Sequence, residues 1–298
     1  MIVIVLLAAL ALLGAAFTGV LLRTAHRRGE LRPTPESTVL GAVTNFFDTL
    51  GIGSFAPTTA WLKLRGLVPD SFIPATLNAG HCLPTIAQAL IFIQLVRVDP
   101  ALLSACIAAA VAGAVVGAPI VVRLPVRAVQ GVVGVALVFA AGLYALSNLG
   151  LMPVGGDALA LPGGPFAIAV VAHFVLGALM TFGIGLYAPS LILLSLLGLN
   201  PIAAFPIMMG ACAFLMPVCG MRFVRAQRID LRVVIGLALG GIPLVLVAAL
   251  VVKSLPLAAL RWGVVVVVLY AALILLHAAT IGAAPVNPPA PAPLAPRH

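Results

Sequence analysis

This chain has little charge. Only 8% of its 298 residues are Asp, Glu, Lys or Arg, where a soluble domain carries about 25%. With 63% hydrophobic residues, it cannot cover its own surface with polar groups, which excludes a soluble globular domain. Acids are scarcest, seven against sixteen basic residues, for a formal charge of +9. Too little polar surface accompanies that basicity to build a nucleic-acid-binding domain. The four cysteines, Cys82, Cys106, Cys212 and Cys219, lie in apolar stretches without CxxC or Cys/His zinc spacing, which argues against a disulfide framework and a structural zinc site. A Walker motif, an HExxH motif and a nucleophile constellation are missing too. The expectation is therefore a protein that is not an enzyme, with no cofactor and no resident metal. The first apolar run, Ile2 to Leu22, is followed rather than preceded by its charges (Arg23, Arg27, Arg28, Arg32). That fits an uncleaved span with its N-terminus outside.

What the chain has in abundance is apolar length. A membrane span needs about 20 apolar residues, and seven segments qualify: roughly 2–22, 72–96, 101–122, 127–149, 201–224, 233–252 and 256–281. Two more, 38–64 and 166–197, are interrupted by Gly and Pro. A Gly/Pro-rich stretch, 150–165, divides the chain, and Pro285 to His298 reads as a polyproline-like tail.

The strongest signal is an internal repeat. TLGIGSFAPT at 49–58 matches TFGIGLYAPS at 181–190, an offset of 132 residues. The same offset pairs Gly66 with Gly198, Pro69 with Pro201 and Pro74 with Pro206. Further on, Arg97-Val98-Asp99 pairs with Arg228-Ile229-Asp230, and Leu124-Pro125 with Leu255-Pro256. The expected organisation is an N-terminal helix and basic loop (1–37), repeat 1 (38–149), a linker (150–165), repeat 2 (166–281) and a tail (282–298).

Loop charges orient the halves. If every segment spans, ten Lys and Arg fall inside and six outside. If 38–64 and 166–197 are re-entrant, thirteen fall inside and only Arg97, Lys253 and Arg261 outside, which fits the positive-inside rule better. Each half then crosses three times, so the two are inverted. The expected fold is an all-α integral protein of the cytoplasmic membrane. It has two inverted repeats, each a broken re-entrant helix pair plus three spans, preceded by one extra span. Broken helices in inverted repeats place a binding site near the bilayer midplane.

The repeated motif supplies that site. Gly51 and Gly53 permit a positive φ at the break, and Pro57 suits the first turn of a new helix. Backbone N–H groups of Ser54, Phe55 and Ala56, and of Leu186, Tyr187 and Ala188 in the second half, should then sit at helix N-termini. Two such termini make an anion site without a basic side chain. Thr49, Thr181, Gly183 and Gly185 complete the set. Close helix packing is the plainer role for these glycines. Asp48 is the one acid well inside an apolar run; proton coupling and a structural cap at the break are both open for it. Asn78, His81, Thr85 and Gln88 form a polar helical stripe facing a cavity or a neighbouring helix, with Asn78 and His81 as candidate substrate contacts. Met208, Cys212, Met216 and Cys219 share a soft face, suited to packing, to a sulfur-containing substrate or to a soft cation such as Cu(I). His173 reads as an interior histidine.

An Asp-Thr pair ahead of a Gly-rich break (Asp48-Thr49), a Pro opening the next half-helix (Pro57), the turn Gly66-Leu67-Val68-Pro69, and Asn78 ahead of a polar stripe resemble the TauE/SafE sulfite exporter family. The motif recurs less completely in the second half, where Met180 stands at the position of Asp48. The resemblance spans roughly residues 38–281. It implies a membrane transporter of small, sulfur-containing anions such as sulfite, thiosulfate, sulfonates or sulfoacetate. The partners expected are that anion and the lipid bilayer, with no nucleic acid; a homo-oligomer is compatible with the reading. A soft-metal transporter using the Met/Cys face is the alternative.

Overall fold

Two short interruptions set the architecture. The computed structural model describes residues 2–117, 126–149, 156–181, 183–226, 229–254 and 257–280. Helices α1 (Ile2–Arg28), α2 (Pro35–Thr49), α3 (Phe55–Arg65), α4 (Ile73–Gly80), α5 (Cys82–Leu95) and α6 (Pro100–Ala112) come first. They are followed by α7 (Val126–Asn148), α8 (Gly164–Met180), α9 (Tyr187–Leu196), α10 (Pro201–Arg225), α11 (Leu231–Ser254) and α12 (Leu257–Thr280). The protein is all-helical; among the described residues the only strand-like feature is an isolated bridge between Ala158 and Leu199. Four stretches there are long and apolar enough to cross a membrane: α1, α4 with α5, α10, and α11 as far as Val251. The tail 282–298, residues 150–155 of the linker, Arg123, Arg228, and the Leu124-Pro125 and Leu255-Pro256 pairs lie outside the described residues.

Segments 38–64 and 166–197 are pairs of half-helices. α2 and α3 have 15 and 11 residues, α8 and α9 have 17 and 10. At 1.5 Å per residue each is about 15–25 Å long, short of a hydrocarbon core of about 30 Å. The breaks follow from glycine: Gly51, Gly53 and Gly183 have φ of 94°, 87° and 85°, where a Cβ is strained. Gly185 does not enter that region. Pro57 and Pro189 lie in the first turns of α3 and α9.

Each pair enters and returns. Glu36, opening α2, accepts hydrogen bonds from Trp61 Nε1 (3.0 Å) and Arg65 Nε (2.9 Å), near and at the end of α3. In the second pair, Asn200 N after α9 donates to Ala158 O ahead of α8 (2.8 Å). In an inverted arrangement the two hairpins would open on opposite faces. α4 and α5 run from the end of the first to Asp99, whose N–H donates to Leu159 O beside the second (2.9 Å). α10 runs back, and Arg28 Nη2 at the end of α1, seven residues before the start of α2, donates to Ile229 O beyond it (3.1 Å). Asp99 and Asp230 cap α6 and α11, accepting from Leu102 N (2.7 Å) and from Arg232 N (2.9 Å).

Small residues bring the inbound helices into backbone contact with partners from elsewhere in the chain. α2 packs on α11: a Cβ at Gly41 would strike the Leu237 backbone, and one at Gly240 the Thr38 carbonyl. α8 packs on α6, with Gly113 against the Phe174 carbonyl and Gly177 against that of Ala110. Close approach of this kind substitutes for the hydrophobic effect, which lipid does not supply. α10 lies at the centre, buried along most of its length, whereas Leu12, Leu64, Phe139, Leu250 and Leu273 are turned outward. The span expected over 72–96 is interrupted at His81, between α4 and α5. Pro84, four residues past Gly80, has no N–H for its carbonyl.

Lys63 lies near the mouth of the first hairpin and Arg97 on the opposite face. A membrane-impermeant maleimide should therefore label Lys63→Cys and Arg97→Cys from opposite sides of sealed vesicles. Labelling of both from one side would contradict this path of the chain.

Candidate functional site

The two breaks meet at one cavity. Asp48, Gly53, Ser54 and Phe55 line it from the first break, Met180, Gly185, Leu186 and Tyr187 from the second. Thr85 of α5 and Cys212 and Met216 of α10 close it. Its volume is about 20 Å³, room for roughly one water. No Lys or Arg lines it, so the donors its wall can offer an anion are backbone N–H groups and hydroxyls.

Two helix starts border the cavity. Ser54 and Leu186 are the residues before α3 and α9, and neither caps its helix with a side-chain hydrogen bond. Pro57 and Pro189 bring no N–H, and the first intrahelical bonds run from Thr58 N to Ser54 O (3.1 Å) and Ser190 N to Leu186 O (3.0 Å). Among the hydrogen bonds of the described residues, none uses the N–H of Phe55, Ala56, Leu186, Tyr187 or Ala188. These are orphan donors of the kind that every helix start leaves, and Phe55, Leu186 and Tyr187 among them line the cavity.

One start is partly occupied from within. Asp48 Oδ1 accepts from Ser54 N at 2.6 Å, as a bound anion would. Its Oδ2 accepts from Gln88 Nε2 at 2.8 Å. Gln88 Nε2 also donates to Thr49 Oγ1 (2.9 Å), and Gln88 Oε1 accepts from Tyr187 OH (2.5 Å). This chain of bonds joins the first break, α5 and the first residue of α9. Of the two roles open for Asp48, the capping geometry is thus present. At the matching position of the second break, Met180 offers no acceptor to Leu186 N, and its Sδ instead meets Cys212 Sγ at 3.4 Å.

Several expected contacts lie beside the cavity rather than in its wall. Thr49 Oγ1 donates to Asn45 O (2.8 Å), and Gly51 faces Leu191, Phe205 and Met208. Thr181 Oγ1 donates to Ala178 O (2.7 Å), Gly183 packs toward Leu77, and Ala56 and Ala188 belong to the first turns of α3 and α9. His81 is bonded to Thr58 and Asn45. Asn78 Nδ2 donates to Pro74 O (2.9 Å), while its Oδ1, fully buried, has no partner among the described residues. The wall contains Thr85, Met180, Cys212 and Met216, which the expected binding set lacks. Thr85 belongs to the polar stripe and Cys212 and Met216 to the soft face, so helical spacing carried a signal for them. Met180 had only its place in the repeat. No three His, Cys, Asp or Glu side chains gather as a metal site among the described residues.

Comparison with family models, with curated proteins and with solved structures finds no match.

Gln88→Leu would leave Asp48 Oδ2 and Tyr187 OH buried without partners. A loss of about 2–4 kcal/mol is expected, seen as a lower Tm in detergent; an unchanged Tm would mean that the network carries no stability.

Proposed function

We propose that this chain is a secondary transporter of a small, sulfur-containing anion across the cytoplasmic membrane, built as two inverted repeats of the TauE/SafE kind. The observation that carries the proposal is the convergence of two half-helix N-termini at one cavity. Unused backbone donors there need an acceptor, and a dehydrated oxyanion supplies several in one compact group. The residue pairs at offsets of 132 and 131, and the matching caps at Asp99 and Asp230, support descent of the two halves from one unit.

The second N-terminus is the better place for the anion. At the first, Asp48 already holds Ser54 N–H; at the second, the N–H groups of Leu186, Tyr187 and Ala188 have no acceptor among the described residues. An ionised Asp48 repels an incoming anion and a protonated one does not, which couples anion binding to a proton. The sulfur atoms of Met180, Cys212 and Met216 in the same wall support a second reading, a soft-cation carrier. The positive ends of two helix dipoles weigh against it.

The test is uptake by reconstituted liposomes of labelled sulfite, thiosulfate and a small sulfonate, with and without an inward proton gradient. Saturable uptake of one anion, accelerated by the gradient, is expected, and Asp48→Asn should lose the gradient dependence. At Gly185 an added Cβ meets nothing nearer than Phe55 Cβ at 3.9 Å. Gly185→Val should therefore fold, fill the cavity and lower uptake at least about tenfold. Met180→Asp should have the same effect by presenting an internal carboxylate to Leu186 N–H. No flux of any sulfur anion, with Cu(I) uptake abolished by Cys212→Leu, would replace the anion reading with the metal one.

A further inference from the structure

One buried polar contact occurs twice, once on each half-helix that carries the free amides. Thr58, one turn into α3, places Oγ1 3.0 Å from His81 Nε2. Ser190, one turn into α9, places Oγ 3.0 Å from His173 Nε2. All four side chains are fully buried. Thr58 and Ser190 are 132 residues apart, as the breaks are. Their partners are not: His81 occupies the turn between α4 and α5, His173 lies within α8, and that offset would set them against Ala213 and Gly41. The hydroxyl belongs to the repeated pattern, whereas each imidazole arrives from an unrelated position. A contact supplied twice by different routes answers to a geometric need rather than to duplication alone.

The second ring nitrogens fix the polarity of both contacts. His81 Nδ1 faces Asn45 Oδ1 at 3.1 Å; the amide is oriented by Asn45 Nδ2 donating to Gly41 O at 2.7 Å. His173 Nδ1 faces Ala169 O at 2.8 Å. Both partners are acceptors, so Nδ1 carries the hydrogen, Nε2 is left to accept, and the hydroxyls of Thr58 and Ser190 donate.

The two half-helices differ in what else holds them. α3 buries only Phe55, Thr58 and Leu62, and its far end is tied through Arg65 and Trp61 to Glu36. It lies between Gly53 and Gly66, both at positive φ with no atom within 4 Å of an added Cβ, so neither end is sterically braced. α9 buries most of its residues.

From this we infer that His81 and His173 are positioning residues. Each latches one half-helix so that its N-terminal amides face the cavity, and each, when released, opens the cavity to the face on which its own hairpin enters. The direction of opening rests on the transporter reading; the latches themselves do not depend on the solute. α3, less embedded, should respond more strongly.

Cys212, in the cavity wall, is a native reporter. In full-length protein with Cys82, Cys106 and Cys219 changed to Ala, a membrane-impermeant thiol reagent is applied to either side of oriented, sealed liposomes. His81→Leu should raise Cys212 labelling about tenfold from the first hairpin's face, the population shift that one net hydrogen bond commands, and leave the other face unchanged. His173→Leu should raise it from the opposite face, by less. His81→Gln, which restores an acceptor for Thr58, should return labelling toward the parent rate. Thr58→Val and Ser190→Ala remove the same bonds from the other partner and replace the histidine variants should those not yield monodisperse protein. Equal gains from both faces, or none, would overturn the latches. One-sided gains in a protein that moves no sulfur anion would retain them and sink the proposed substrate.

Discussion

A bilayer offers a backbone amide no partner, and the helix breaks of this chain are organised around that fact. An unbroken helix meets the constraint within itself. A break does not, and each of the two here leaves donors that must face protein, water or solute. They share one cavity, so one site answers for both. The Gly-x-Gly sequences create the problem by allowing the turn; Asp48, Gln88 and Tyr187 solve part of it. The remaining amides are donors without a partner among the described residues.

The two halves do not solve the problem alike. The first spends a buried carboxylate on its helix start; the second has Met180 there and leaves its start open. A symmetric pair of acids would crowd negative charge around one small cavity. With Asp48 on one side and Met180 on the other, only the first start has an internal carboxylate as its acceptor.

Much of the scaffold was legible because it depends on periodic or local features: apolar run lengths, the glycines and prolines of each break, the Asp residues that start α6 and α11. Loop charge pointed to a segment 38–64 that turns back on itself, and the bonds from Trp61 and Arg65 to Glu36 bring its two ends together. At the site, Asp48, Gly53, Ser54, Phe55, Gly185, Leu186 and Tyr187 were expected and lie in the cavity wall, because they flank the breaks. Others depend on how distant helices rotate against one another. Asn78 and His81 shared a helical arc with Thr85 and Gln88, but the turn at His81 splits that arc, and only the second pair reaches the cavity or its network. Cys212 and Met216 had a face but no stated destination until α10 was seen at the centre.

The glycine contacts between α2 and α11 bear on how the protein is made. The surface of α2 that includes Gly41 packs against a helix that begins at Leu231, so α2 leaves the ribosome long before that partner exists. The contact between Gly41 and Leu237 closes only after most of the chain has been made. The helix made second becomes one of the last to reach its final place.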